Sequence, residues 1–261
     1  MTDTPDITSR QNAGDISPRI YIGTSGYSYR HWWDGVFYPR DVPQKKWLEF
    51  YTRRFDTVEI NVSFYRLPKK ATFEGWYRRS PEGFGFAIKG NRFITHIKKL
   101  RGCHEALKRF FEHILGLRDK LSIILWQLPP RLTVDAQILD EFCNLLSRLG
   151  EGIRNTFEFR DESWFSAEIY TLLRKYNYSL CIAHSPKFPL IEEITADFVY
   201  LRLHGGRVFY NTNYTHEELS DFASKINKWR SECKDVYAYF NNDAYGYATK
   251  NAAKLKEILG Y

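Results

Sequence analysis

Glu158 and Arg160 stand two positions apart in TFEFR, as do Arg202 and His204 in FVYLRLH and Glu59 and Asn61 in TVEINV. A spacing of two puts both members on one face of a β-strand and the residues between them on the other. Those alternates are apolar: Phe157 and Phe159, Leu201 and Leu203, Val58, Ile60 and Val62. The same parity selects Lys89 in GFAIKG, Gln127 in SIILWQL and Asn241 in VYAYFN, with Asn242 and Asp243 following. Gathered on one surface, such groups could hold an anion and move protons. Lys89, Arg92, Arg160 and Arg202 would clamp the negative charge, Glu59 or Glu158 would act as general base, and His204 would be the second proton carrier.

Positioning these groups together requires a particular architecture. Eight runs rich in β-branched and aromatic residues read as strands, at 20–25, 57–62, 85–90, 122–128, 156–160, 179–184, 198–204 and 236–241. Between them lie apolar stripes at spacings of three and four. The clearest are Leu107, Phe110, Phe111 and Ile114; Leu139, Phe142, Leu145 and Leu146; Ile169, Leu172, Leu173 and Tyr176; and Ala252, Leu255 and Ile258. Thr215 and Glu218 form a capping-box pattern ahead of Leu219, Phe222, Ile226 and Trp229. The links after strands 2 and 6 are short or irregular. Eight strands alternating with helices, in about the ~250 residues usual for the architecture, predict an α/β fold: a single (β/α)8 TIM barrel over residues 18–261. An open doubly wound sheet is the competing arrangement, but GTSG after strand 1 lacks the spaced glycines of a dinucleotide site. In a barrel, outward residues pack under helices, so the polar parity, Glu59 and Asn61 included, should face inward near the carboxyl ends of the strands.

Residues 1–17 read as a flexible polar tail with neither a signal nor a transit pattern, and no apolar run approaches the roughly 18 residues of a membrane span. Cys103, Cys143, Cys181 and Cys233 have no paired ligand spacing, so neither a zinc module nor a disulfide framework is indicated, and a reducing cytoplasm is the expected location. The formal net charge is +7. Part of the excess is concentrated in KGNRFITHIKKLRG, residues 89–102, which carries five cations and no carboxylate.

The segments IGTSGYSYRHWW, FDTVEINVSFYRLP, FAIKGNRFITH, WQLPP, FEFRDESWF, YLRLHG and YAYFNND, in that order along nearly the whole chain, resemble the YecE-like proteins, a family of TIM-barrel proteins classed as a domain of unknown function. The resemblance implies the barrel and supplies no reaction, substrate or cofactor. Where the family tends to carry Asp at the end of strand 6 this chain has His184, so no role is carried over to that position.

Function therefore rests on the inward set. As plain ion pairs, Glu59 would meet Lys89 on the next strand and Glu158 would meet Arg160 or Arg202. Burying that many charges for stability alone is unfavourable, which favours a functional site. Gly205 and Gly206 after strand 7 and NNDAYG after strand 8 occupy places where barrels bind phosphate. The loops are rich in aromatic residues, among them Tyr65, that can pack on one another or stack on a base or sugar. The expected function is an enzyme that binds a small anionic, phosphate-bearing substrate through Asn61, Tyr65, Lys89, Arg92, Gln127, Arg160, Arg202, Gly205, Asn241 and Asn242. Glu59, Glu158 and His204 carry the chemistry in that reading, and replacing either glutamate by Gln should leave the fold intact. The alternatives are a nucleic-acid-binding barrel, a metal-dependent phosphodiester-processing barrel with Glu59, Glu158 and His204 on the ion, and, ranked below these, a glycosidase. Cofactor, metal requirement and oligomeric state have no signature in the sequence.

Overall fold

The computed structural model describes residues 18–232 and 234–261; the tail at 1–17 and Cys233 lie outside the described residues. Eight parallel strands follow one another around a nearly closed barrel: β1 (Ile20–Thr24), β2 (Thr57–Ile60), β3 (Gly85–Lys89), β4 (Leu121–Gln127), β5 (Arg154–Glu158), β6 (Ser179–His184), β7 (Phe198–Leu203) and β8 (Asp235–Phe240). The helices between them are α1 (Trp47–Tyr51), α2 (Val62–Tyr65), α3 (Lys70–Arg79), α4 (His104–Ile114), α5 (Ala136–Leu149), α6 (Ala167–Lys175), α7 (His216–Ser231) and α8 (Tyr247–Ile258). No helix among the described residues is long and apolar enough to cross a membrane.

Strand parity sorts the side chains into two concentric cores. Val58, Ile60, Ile88, Trp126, Phe157, Leu201 and Leu203 face outward and pack beneath the apolar stripes of the helices. Inside the barrel, Ala87, Ile123, Leu125, Cys181, Phe198, Tyr200, Tyr237 and Tyr239 form a separate cluster that fills its lower and middle layers. Helices α5, α6 and α7 begin at side-chain acceptors for their first N–H groups: Asp135 Oδ1 accepts from Ile138 N at 3.0 Å, Ser166 Oγ accepts from Ile169 N at 3.5 Å, and Thr215 and Glu218 form the reciprocal box expected of them.

The seam between β1 and β2 is held differently from the other junctions. Ser25 and Glu59 form a single parallel bridge, and Gly26 N–H donates to the Glu59 carbonyl at 2.7 Å. Gly23 is required there because a Cβ would lie 2.2 Å from the Thr57 carbonyl oxygen. Glu59 is therefore a seam residue through its backbone as well as an interior group through its side chain.

The link after β2 carries two helices rather than one, the link after β6 carries none, and the link after β1 has only the five-residue α1 behind two 3-10 turns. Strand 2 ends at Ile60 rather than at Val62, because Asn61 takes helical angles and the chain turns directly into α2. Ser63 fixes that turn by donating its hydroxyl to the Lys89 carbonyl at 2.6 Å, and Val62 is consequently exposed instead of sharing the buried face of Val58 and Ile60. The second half of the link, α3, buries Phe73 and Trp76. Residues 185–197, after β6, contain no helix.

Candidate active site at the barrel mouth

Arg202 is the centre of the mouth. It projects from β7, is 1% exposed, and donates Nε to Glu59 Oε2 at 2.9 Å, Nη2 to Glu59 Oε1 at 2.7 Å, and Nη1 to Glu158 Oε2. Ser25 Oγ and Tyr200 Oη each donate to Glu59 at 2.7 Å, so each oxygen of that carboxylate accepts two hydrogen bonds. Glu158 also accepts from Arg160 Nε at 2.7 Å and has His204 Nε2 3.6 Å away. Burial alone would raise both carboxyl pKa values; the Arg202 guanidinium reverses this and holds Glu59 below, and Glu158 well below, the usual carboxylate range.

This network corrects one expectation. Glu59 pairs across the barrel with Arg202, not with Lys89 on the neighbouring strand. Arg202 directs N–H groups from all three of its guanidinium nitrogens at carboxylates. His204 is neutral, its pKa lowered to about 4 by burial and then by Arg202; Asn241 Nδ2 lies 3.0 Å from its Nδ1. The arrangement also bears on metal binding. The Arg202 guanidinium lies between the two carboxylates, where a shared divalent ion would have to sit, and among the described residues no group of three or more His, Cys, Asp or Glu is placed to hold one.

Lys89, the last residue of β3, differs from its neighbours. It is 8% exposed, yet among the described residues its Nζ has no hydrogen-bond acceptor and no carboxylate in ion-pair contact. The ammonium lies 4.2 Å from the centre of the Phe64 ring. Burial, and then the positive field of Arg202, lower its pKa to about 7. His96, which packs edge-on against Phe64 with ring centres 4.9 Å apart, is lowered to about 4 by burial and by Lys89. Its Nε2 is 3.5 Å from Gln127 Nε2, and Gln127 donates at 3.0 Å to the Leu128 carbonyl.

Arg160 lies at the outer edge. It uses Nε on Glu158, while the guanidinium carbon sits 4.4 Å from the Phe188 ring centre and the group acts on the Tyr210 hydroxyl. Asn61 sits one residue beyond β2 with a buried Oδ1 that has no partner. Tyr65 and Arg92 are exposed on the rim.

Other candidates fall elsewhere. Asn242 has the opposite parity to Asn241, and its Nδ2 ties Thr212 O and Asn251 Oδ1 into the loop packing, so it does not face the interior. Gly205 has φ +98° and its N–H donates to Tyr214 Oη at 3.0 Å, which occupies the amide that a phosphate would have used. His184 packs outside the barrel against Phe222 of α7, with Nδ1 2.9 Å from Tyr214 Oη. In the basic segment Arg101 pairs with Asp135 at 2.7 Å, while Lys98 keeps its charge and donates to the Gly102 carbonyl at 3.0 Å.

Parity could have found Tyr200, which shares a face with Arg202 and His204, and Ser25, two positions beyond Gly23. His96 and Phe64 reach Lys89 from loops whose course no strand periodicity describes.

A (β/α)8 barrel with buried charges at the carboxyl ends of its strands is thus the class of protein defined here. The chain belongs to the family described as protein of unknown function DUF72, whose model matches residues 21–261. It is 26% identical over 271 residues to the UPF0759 protein YunF of Bacillus subtilis, covering 92% of this chain and 94% of that one. Over 111 residues, 42% of this chain and 38% of the relative, it is 30% identical to the UPF0759 protein YecE of Escherichia coli. The crystal structure of the DUF72 family protein TM1631 of Thermotoga maritima superposes with a TM-score of 0.79 at 27% identity, over 93% of this chain and all of that one. A DUF72 family protein of Enterococcus faecalis, EF0366, shares the fold at a TM-score of 0.76 and 19% identity, over 95% of this chain and 100% of that one.

Proposed function

We propose that this barrel is an enzyme whose mouth takes a small anionic, phosphate-bearing substrate. Arg160 and, from the rim, Arg92 contact the anion, and Lys89 is the group that exchanges a proton. The observation that carries the reading is the state of Lys89. Arg202, Arg160, Glu59 and Glu158 are mutually paired, whereas Lys89 is a buried amine with no carboxylate in contact, beside two guanidinium groups. An anion entering the mouth would supply the missing counter-charge, and an amine with a pKa of about 7 can accept or release a proton at neutral pH.

The carboxylates have a different role in this scheme. Glu59 accepts four hydrogen bonds and has no lone pair left for a substrate, while Glu158, fully buried, accepts one from each of two arginines. They position Arg202 and balance its charge. The same saturation disfavours a glycosidase, which needs one carboxyl group to protonate and one to attack. A polynucleotide across the rim would meet Arg101 already paired with Asp135, which lowers the charge that the segment offers to it.

Calorimetric titration with glycerol 3-phosphate and with a short single-stranded oligonucleotide tests the reading. Binding of the phosphate ester should weaken at least about tenfold in Arg160→Ala and stay within about twofold in the joint Lys98, Lys99 and Arg101 to Ala variant, since each charge-assisted contact contributes roughly 1.5–3 kcal/mol. Oligonucleotide binding that is lost in the triple variant, without any binding of the phosphate ester, would replace this reading with a nucleic-acid one.

A further inference from the structure

Lys89 combines three properties seldom found together in a lysine. It ends a barrel strand at the open face, the residue is 8% exposed with no hydrogen-bond acceptor for its ammonium among the described residues, and it lies against the Phe64 ring with Arg202, Glu158, Glu59 and Arg160 as its charged neighbours. The other buried lysine, Lys120, is the contrast. It donates to the carbonyls of Tyr77 and Ser80 at 2.7 and 2.6 Å, so its protons are held in place. A structural ammonium is surrounded by acceptors, while a nucleophilic amine needs a free lone pair.

We propose that Lys89 is an amine nucleophile that condenses with the carbonyl group of a small anionic aldehyde or ketone at the barrel mouth. This deepens the anion-binding reading and rests on it for the substrate's charge. The Nζ lone pair forms the N–C bond while the carbonyl π electrons move to oxygen, which takes a proton, and the nitrogen gives one up, leaving a neutral carbinolamine. Protonation of that hydroxyl lets it depart as water as the nitrogen lone pair forms the C=N bond. The sum is amine plus carbonyl plus one proton giving a protonated imine and water, with no change of oxidation state.

The surroundings suit each step. Burial and neighbouring guanidinium groups keep much of the amine unprotonated near neutrality, the condition that activates a lysine for attack on carbonyls. Relative to an ordinary lysine the free-amine fraction at pH 7 is greater by roughly a thousandfold. The iminium that forms gains the Phe64 face, the field of Glu158 and Glu59, and the substrate's own anion, which Arg160 holds.

Borohydride trapping on the wild-type protein, read by peptide mapping, tests this. Dihydroxyacetone phosphate and pyruvate are the probes. Glycerol 3-phosphate serves as the anion without a carbonyl, and dihydroxyacetone as the carbonyl without an anion. The expected result is one reduced adduct per chain on the peptide containing Lys89, formed at least about tenfold faster than on any other lysine, slowed by glycerol 3-phosphate, and absent in Lys89→Arg and Lys89→Met. Because mapping on the wild type locates the adduct, the test does not depend on either variant folding. Adducts spread evenly over lysines, or none with any carbonyl probe, would overturn the proposal; if glycerol 3-phosphate still bound in an Arg160-dependent manner, the anion reading would survive alone. Equal trapping of Lys89 by dihydroxyacetone, unaffected by glycerol 3-phosphate, would keep the nucleophile and remove the anion reading with the charge assigned to the substrate.

Discussion

Arg202 on β7 reaches across the barrel interior to Glu59 on β2 and meets both of its oxygens, at 2.9 and 2.7 Å, while its third nitrogen engages Glu158 on β5. One guanidinium thus ties together three strands that are not neighbours in the sheet. Removing it would leave Glu59 buried without a paired cation and Glu158 with Arg160 alone. Arg202→Met should lower the unfolding free energy by roughly 3–5 kcal/mol in urea denaturation, because breaking a buried pair costs far more than the pair contributes. Glu59→Gln should also destabilise the fold, since its amide would point N–H groups at donors from Arg202 and from Ser25 or Tyr200. The sequence alone suggested that this exchange would be tolerated; the four donors around the carboxylate reverse that expectation. Variants within about 0.5 kcal/mol of wild type would contradict the network's structural role.

Lys89 gives stability an unusual pH dependence. Its folded pKa of about 7 lies below the ordinary 10.5, so between those values the unfolded chain binds a proton that the folded chain does not. Stability must then rise with pH across that window, and the burial penalty is carried in full below about 7. The difference in unfolding free energy between wild type and Lys89→Met should climb between pH 7.5 and 9.5 with a slope approaching about 1.4 kcal/mol per pH unit. A flat difference would mean that Lys89 titrates as an ordinary lysine.

At acid pH the sign comes from the glutamates. Glu59 and Glu158 have folded pKa values below their unfolded ones, so they contribute stability above about pH 4.5 that is lost as pH falls through the folded values. A wild-type stability profile should therefore fall below pH 4.5, and that acid limb should be shallower in a jointly neutralised Arg202→Met, Glu59→Gln, Glu158→Gln variant. An unchanged acid limb would assign the transition to other carboxylates.

The seam between β1 and β2 can be tested independently of the charges. Gly23→Ala would place a methyl group 2.2 Å from the Thr57 carbonyl, against backbone that cannot retreat without opening the junction. A loss of at least ~2 kcal/mol is expected, with faster hydrogen exchange at Gly26, whose N–H donates to the Glu59 carbonyl. Normal exchange at Gly26 together with unaltered stability would show that the seam yields.

The barrel was legible in the sequence because parity and helical spacing are local. TFEFR and FVYLRLH display their inward and outward faces without reference to the rest of the chain, and those strands lie within two residues of their expected limits. Strand 2 ran too long on paper, since its alternation persists to Val62 while Ser63 captures the Lys89 carbonyl and turns the chain. Membership of the interior was also legible, as was the pairing of Glu158 with Arg160 and Arg202; the partner of Glu59 was not. Which cation meets Glu59 depends on the width of the barrel and the reach of each side chain, and Arg202 spans the interior where Lys89 does not make contact. Asn242 and Gly205 were misplaced for a related reason. Their loops fold back on Thr212, Tyr214 and Asn251, and strand parity carries no information about a chain that has left the strand.

The most direct measurement is the titration of Lys89 itself, by NMR of its side-chain Cε and Nζ, with and without glycerol 3-phosphate. A midpoint near 7 in the free protein is expected, moving upward by about one unit or more when the phosphate ester supplies a counter-charge. A Lys89 that titrates at 10 or above and ignores the ester would contradict both the unpaired amine and the anion-binding mouth.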